Sequence, residues 1–157
     1  MPTLLQTELL AGLPREDANE LLALGTPLTL ASGQVLFPLG AEAQALFLVA
    51  RGRIALTLPM WLRGREQDVL VQEKGAGETV GWSALVAPHH FTLKATALVE
   101  SELLSFPRTG LAAHLAAKPA VGHVVTTNLA AIVARRLHVA QAMWLREMQR
   151  VVELSCE

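Results

Sequence analysis

The stretch Leu46-Phe47-Leu48-Val49-Ala50-Arg51-Gly52-Arg53-Ile54-Ala55-Leu56-Thr57-Leu58 sets two apolar, strand-like runs on either side of an Arg-Gly-Arg triplet. Leu46–Ala50 and Ile54–Leu58 predict strands, and Arg51-Gly52-Arg53 predicts a tight hairpin between them. The same pattern continues outward in both directions. Leu28-Thr29-Leu30 precedes Ser32-Gly33, and Val35-Leu36-Phe37 precedes Leu39-Gly40. Val69-Leu70-Val71 runs into Lys74-Gly75-Ala76-Gly77, and Thr92–Val99 and Leu103–Phe106 follow. Seven or eight short strands between Pro27 and Phe106 predict a sandwich or barrel. Pro59–Gln67, with Trp61, Arg63, Gly64 and Arg65, predicts an exposed hairpin tip and makes Trp61 a candidate contact residue.

Helices flank this region. Leu4, Leu5, Leu9 and Leu10 predict a first helix over 3–11, ended by Gly12. Pro14 opens a second helix, with Glu16 and Asp17 in its first turn, and Gly25 stops it. Residues 107–117 predict a short helix, and Pro119 starts a long one. Leu129, Val133, Leu137, Ala140, Trp144, Met148 and Val151 recur at steps of four or three, which places them on one stripe. From Pro119 to Leu154 such a helix spans roughly 54 Å at about 1.5 Å per residue. It overhangs a small barrel, so the stripe is the candidate homodimer interface. The domain organisation expected is a β-barrel with N-terminal helices over 1–118 and a dimerisation helix over 119–157.

Composition narrows the function. Hydrophobic residues make up 52% of the 157 and charged residues 17%, against about 25% charged in average globular domains. Disorder is excluded as the main state, and the surplus apolar surface suits a subunit interface. Thirteen basic and fourteen acidic residues give a net charge of −1, without the electrostatic footprint of a nucleic-acid binder. The one cysteine, Cys156, allows neither an internal disulfide nor a cysteine-based zinc site. No run of eighteen apolar residues predicts a membrane span, and Glu8 precedes Arg15 where a signal peptide needs positive charge. A cytoplasmic protein is expected.

The glycines and their order carry a resemblance. Gly33-Gln34-Val35-Leu36-Phe37-Pro38-Leu39-Gly40, Leu46–Ile54, Gly77-Glu78-Thr79-Val80-Gly81-Trp82-Ser83-Ala84-Leu85 and Ala97–Leu104 stand in sequence, followed by the long helix. This ordered set resembles the cyclic-nucleotide-binding domain of the Crp/Fnr (catabolite activator) family over about Leu9–Leu137. The resemblance implies a mainly β fold with flanking helices (α+β), a double-stranded β-helix (jelly-roll) barrel followed by a long C-terminal helix. It also implies a phosphate-binding cassette over residues 77–85. Glycines at 77 and 81 let backbone amides approach an anion, and a short helix starting near Ser83 aims N–H groups the same way.

Two positions depart from the family pattern. Nucleotide-binding members carry a glutamate after the second glycine, facing the ribose, where this chain has Trp82. Glu78 aligns with an earlier, structural acid. An arginine that neutralises the cyclic phosphate is replaced at the equivalent place by Phe91, after His89 and His90, and no arginine lies between Arg65 and Arg108. Trp82 has one donor and no acceptor, and a histidine is only partly charged near neutrality. Cyclic AMP binding in the family's usual manner is therefore not expected. The candidate ligand-binding set is Gly77, Glu78, Val80, Gly81, Trp82, Ser83, Ala84, Leu85, His90, Phe91 and Thr92. His90 and the amides of 81–84 suit an anion, while Trp82 and Phe91 suit an apolar or aromatic ligand.

Rival readings find less support. The histidines, His89, His90, His114, His123 and His138, form no cupin-like metal triad, and no Gly-x-Ser-x-Gly occurs. A haem or other small-molecule sensor, with His89, His90, His123 or Cys156 as iron ligands, and a dimeric protein-interaction module without a ligand stand as alternatives. Arg135-Arg136 predicts a solvated basic pair. The chain stops at Glu157, short of the family's winged helix-turn-helix, so direct DNA binding is not expected. The expectation is a stand-alone sensor or regulatory domain in signal transduction with altered or lost cyclic nucleotide specificity and no enzyme site. It would act as a homodimer, with a separate protein partner open, no membrane contact, and a cyclic nucleotide or other small anion as the candidate ligand.

Overall fold

A computed structural model describes residues 4–156. Two four-stranded antiparallel sheets face each other in a jelly-roll-like arrangement. The first sheet runs in the order β1 (Thr26–Leu30), β8 (Ser101–Pro107), β3 (Ala45–Arg51), β6 (Thr79–Val80). The second runs β2 (Val35–Phe37), β7 (Lys94–Ala97), β4 (Ile54–Leu62), β5 (Arg65–Lys74). Among the described residues no strand pairing joins the two sheets, so the barrel is not closed by hydrogen bonds. The buried core takes Phe47, Val49 and Leu103 from one face of the first sheet, Leu46, Leu48 and Phe106 from its other face, and Ile54, Leu56 and Ala95 from the second sheet. Consecutive residues Leu46–Val49 are all buried. Such a run marks a strand covered on both faces.

The expected hairpin at Arg51-Gly52-Arg53 is corrected. β3 pairs with β6 and β8, and β4 pairs with β5 and β7. The triplet is therefore a corner at which the chain leaves one sheet for the other. Gly52 has φ +103°, and a Cβ there would lie 2.7 Å from the Ser101 Cα. The Ser101 hydroxyl fixes the corner by donating to the Val99 carbonyl at 2.8 Å and accepting from the Arg53 N–H at 3.2 Å. The true hairpin is β4–β5, paired from Ile54↔Lys74 out to Leu62↔Arg65. It projects as a ribbon and leaves Trp61 74% exposed.

The N-terminal segment also differs from expectation. Of the helix expected over 3–11, residue 3 lies outside the described residues, and the rest forms one 3₁₀ turn, Leu4–Gln6, followed by further turns. Leu9 and Leu10 are nevertheless fully buried, because the Asn128 amide donates to the carbonyls of Leu9 and Ala11, both at 2.8 Å. Tertiary hydrogen bonds here replace helical ones. Pro14 precedes α1 (Arg15–Leu22), as its fixed φ favours. α2 (Arg108–Ala117) leads through Lys118 into α3 (Pro119–Ser155). Val121, Val125, Leu129 and Ile132 of α3 are buried in the same core as Leu9, Leu21 and Phe106.

Gly52→Ala and Gly64→Ala separate backbone strain from crowding. Both sites have positive φ, but nothing lies within 4 Å of a Cβ at Gly64. Gly64→Ala should cost about 1–2 kcal/mol from φ alone. Gly52→Ala should cost clearly more, because the corner must also move off Ser101. Equal midpoints in urea would count against the corner as described.

Candidate ligand-binding site

The cassette begins in a turn that is structural. Glu78 accepts the Gly75 N–H at 2.6 Å, and the Gly77 N–H donates to Val49 at 2.8 Å. These contacts close the turn against β3. Val80 is a fully buried member of β6. Gly81 follows at φ +80° and caps a 3₁₀ turn, Trp82–Leu85, that buries Ser83 and Ala84. The first N–H groups of such a turn have no partner within it.

The space beside Gly81 is occupied by an aromatic stack. Phe91 lies on Phe37 with ring centroids 3.5 Å apart and an interplanar angle of 7°. Phe47 continues the group at 6.1 Å from Phe37. A Cβ at Gly81 would meet Phe91 Cε1 at 3.1 Å and the Ala45 carbonyl oxygen at 3.4 Å, so this glycine is needed for close approach as well as for its φ. What remains is a cavity of about 10 Å³, room for roughly one water molecule.

Gly81, Trp82, Ser83, Phe91 and Thr92 line that cavity, so the fold brings these sequence candidates together. Gly77, Glu78, Val80 and Ala84 lie in the supporting turn and core. Leu85 instead faces α3 across an apolar groove with Leu129 and Val133. His90 is exposed and bridges to Glu42 on the backbone, outside the cavity. His89 Nδ1 sits 3.0 Å from the Ser83 carbonyl oxygen and ties the following loop to the 3₁₀ turn. Among the described residues no three His, Cys, Asp or Glu side chains gather as a metal site would require.

Four lining residues, Phe37, Leu56, Leu93 and Arg136, were missed by sequence reasoning, and Arg136 is the charged one. Arg136, expected as part of a solvated pair, is half-buried and reaches the cavity from α3. Its Nε donates to Gln72 Oε1 at 2.9 Å. Burial pushes this guanidinium below the usual arginine value. The spacing Val125, Leu129, Ile132, Arg136 is helical and places Arg136 on the core-facing stripe, which is the signal that identifies it. Arg135 points elsewhere, to Glu8 Oε2 at 2.7 Å.

Glu8 joins a buried charge cluster behind the cassette. Its Oε1 accepts the Thr79 N–H at 2.8 Å and lies 3.8 Å from Lys74 Nζ. Lys74 is 2% exposed, with Glu78 4.0 Å away. Burial pushes the Lys74 ammonium below the usual lysine value, opposed by Glu8 and Glu78.

The expected α3 stripe divides. Leu129 is buried against its own domain and Val133 is half-buried. Leu137, Trp144, Met148 and Val151 are 44–61% exposed, and Ala140 is also exposed. No helix among the described residues is long and apolar enough to cross a membrane.

The family model described as cyclic nucleotide-binding domain matches residues 27–118. The cyclic AMP receptor protein of Thermus thermophilus is 35% identical over 108 residues, which are 69% of this chain and 47% of that protein. The chain thus spans about half the length of this relative. The crystal structure of the Thermus thermophilus catabolite activator protein superposes with a TM-score of 0.73 at 30% identity, over 91% of this chain and 63% of that one. The N-terminal domain of a transcriptional regulator from Streptomyces coelicolor gives 0.70 at 30% identity, over 90% and 95%.

The buried ammonium makes a pH prediction. The folded-state pKa of Lys74 lies below its ordinary 10.5. Between the two values the unfolded chain binds more protons, so this residue's contribution to stability rises with pH. Lys74→Met should be at least as stable as the parent at pH 8, and its advantage should shrink towards pH 10.5. A difference in unfolding free energy that stays flat over that range would rule out a strained ammonium.

Proposed function

The chain belongs to the cyclic nucleotide-binding domain family, and from that premise we propose that it is a ligand-responsive regulatory domain whose specificity has moved away from cyclic nucleotides. The observation that carries this reading is the Phe91 ring, stacked on Phe37 and filling the space against Gly81. By the resemblance above, a phosphate-neutralising arginine belongs at that place. An arginine fork and a carboxylate after Gly81 would together hold a phosphate and a ribose. Phe91 and Trp82 supply neither the charge nor the acceptors. Regulation, not catalysis, fits a cavity lined by aromatic and aliphatic groups and one arginine.

The reading includes a homodimer formed through α3. Its support is the exposed run Leu137, Ala140, Trp144, Met148 and Val151, which lies on one helical face beyond the part of α3 that packs on the sheets. Val133 continues that face, while Leu129 faces the domain's own core. Ligand occupancy acts by changing how α3 sits on the sheets, and it does so to the extent that the ligand binds one arrangement more tightly. Arg136, in the cavity wall, and Arg135, on Glu8, are the α3 side chains that would sense the change. The net charge of −1 assigns no nucleic-acid contact to these residues. Membership of this family supports a cytoplasmic location.

Two experiments test the reading. Thermal unfolding with cyclic AMP, cyclic GMP and cyclic di-GMP should show little shift, whereas a ligand at a hundred times its dissociation constant adds about 2.7 kcal/mol. The double variant Trp82→Glu/Phe91→Arg should gain cyclic AMP binding measurable by calorimetry. Strong binding by the parent chain would overturn the altered specificity, and no gain in the variant would count against the correspondence of these positions. For the dimer, Leu137→Asp/Trp144→Asp should shift the mass seen by light scattering from two chains to one. An unchanged mass would place the interface elsewhere.

A further inference from the structure

Outward from the cassette cavity the structure opens a second space, a cleft of about 330 Å³ between the β4–β5 ribbon and α3. The two spaces share Thr92, Leu93 and Arg136. Leu58 and Val71 form the ribbon side of the cleft, and Ala140 and Met143 form the helix side. Its size falls within the range of small-molecule sites. Apart from the Thr92 hydroxyl, Arg136 is the one polar side chain in its wall.

Arg136 is chemically unfinished. Of its five side-chain donors, the bond to Gln72 Oε1 uses one, and among the described residues no carboxylate pairs with it. A half-buried guanidinium against an apolar wall is costly to desolvate without an anion. The other cations near the cassette are already paired, Arg135 and Lys74 with Glu8 and Lys94 with Asp68. A second copy of α3 aligned in parallel does not supply the missing charge at this level, because no Asp or Glu occurs between Pro119 and Arg146. A cyclic nucleotide is a poor occupant, since its ribose hydroxyls and base edge would be buried against Leu58, Val71, Leu93 and Met143 without partners.

We propose that this cleft binds a small organic carboxylate with an apolar or aromatic body, the carboxylate on Arg136 and the body between the β4–β5 ribbon and α3. The proposal rests on the reading of the chain as a ligand-responsive domain and names the class of ligand. A planar guanidinium presents a fork that a carboxylate fits bidentately. Occupancy would bridge ribbon and helix at Arg136, Ala140 and Met143. That is the part of α3 just before the exposed Trp144 face.

The test uses the full chain and three probes. 2-Naphthoate is the ligand, 2-naphthalenemethanol its neutral isostere, and cyclic AMP the family comparison. Calorimetry and thermal unfolding should show 2-naphthoate binding at least tenfold more tightly than the alcohol. Arg136→Met should remove that preference, whereas Arg135→Met should keep it. Met143→Trp, in the cleft wall but outside the dimer stripe, should abolish binding by filling the cleft, which keeps the test valid if Arg136→Met fails to fold. Equal binding of the two naphthalenes, or an Arg136→Met protein that still prefers the acid, overturns the proposal. Cyclic AMP binding without naphthoate binding overturns the ligand class and leaves the sensor reading standing. No shift from any probe, with Arg136→Met changing only the dimerisation constant, assigns the cleft to a second copy and overturns the proposal.

Discussion

A single carboxylate, that of Glu8, holds the cassette and the long helix in one arrangement. It accepts the backbone N–H of Thr79, lies beside the buried ammonium of Lys74 and receives the guanidinium of Arg135. An ammonium as enclosed as Lys74 is tolerated only where acids meet it. The N-terminal segment, the end of β5, the start of β6 and α3 must therefore converge on one point. Asn128 reinforces the arrangement from α3 by taking two carbonyls of the same segment. Through Glu8, α3 is joined to Thr79, two residues before Gly81.

In front of that cluster the chemistry turns apolar. The Phe37–Phe91 stack occupies the space at the cassette glycine, and the cavity left over holds no more than about one water. The positive charge has not disappeared from the neighbourhood. It stands on α3 as Arg136, facing the cleft beside the ribbon. A cation carried on the helix would couple an anion bound there directly to helix position. A cation on the loop would act through the sheet.

Much of this was legible in the residues. Strand runs punctuated by glycine located seven of the strands, and Pro107 and Pro119 marked the start of the helical region and of α3. The corner at Gly52 was misread because a glycine between two apolar runs specifies a tight change of direction. It does not specify which strand each run will pair with. The N-terminal leucines were correctly apolar but not helical, since Asn128, far along the chain, supplies the hydrogen bonds that a helix would have made internally. Arg136 was hidden by its neighbour: two adjacent arginines look alike in sequence, although successive helix positions are about 100° apart.

The sequence by itself determined the alternation of strands, the glycines that admit positive φ, the length of α3 and the replacement of two expected polar residues by Trp82 and Phe91. Those features are local, because they depend on side-chain size, backbone freedom and periodicity within a few residues. Only the tertiary structure decided that β3 and β4 lie in different sheets, that Phe91 stacks on Phe37, that Glu8 meets Lys74 and Arg135, and that Arg136 rather than Arg135 faces the cleft. Each of these depends on distances between residues far apart in the chain. Packing and the pairing of buried charge set those distances, and neither is a property of any one segment.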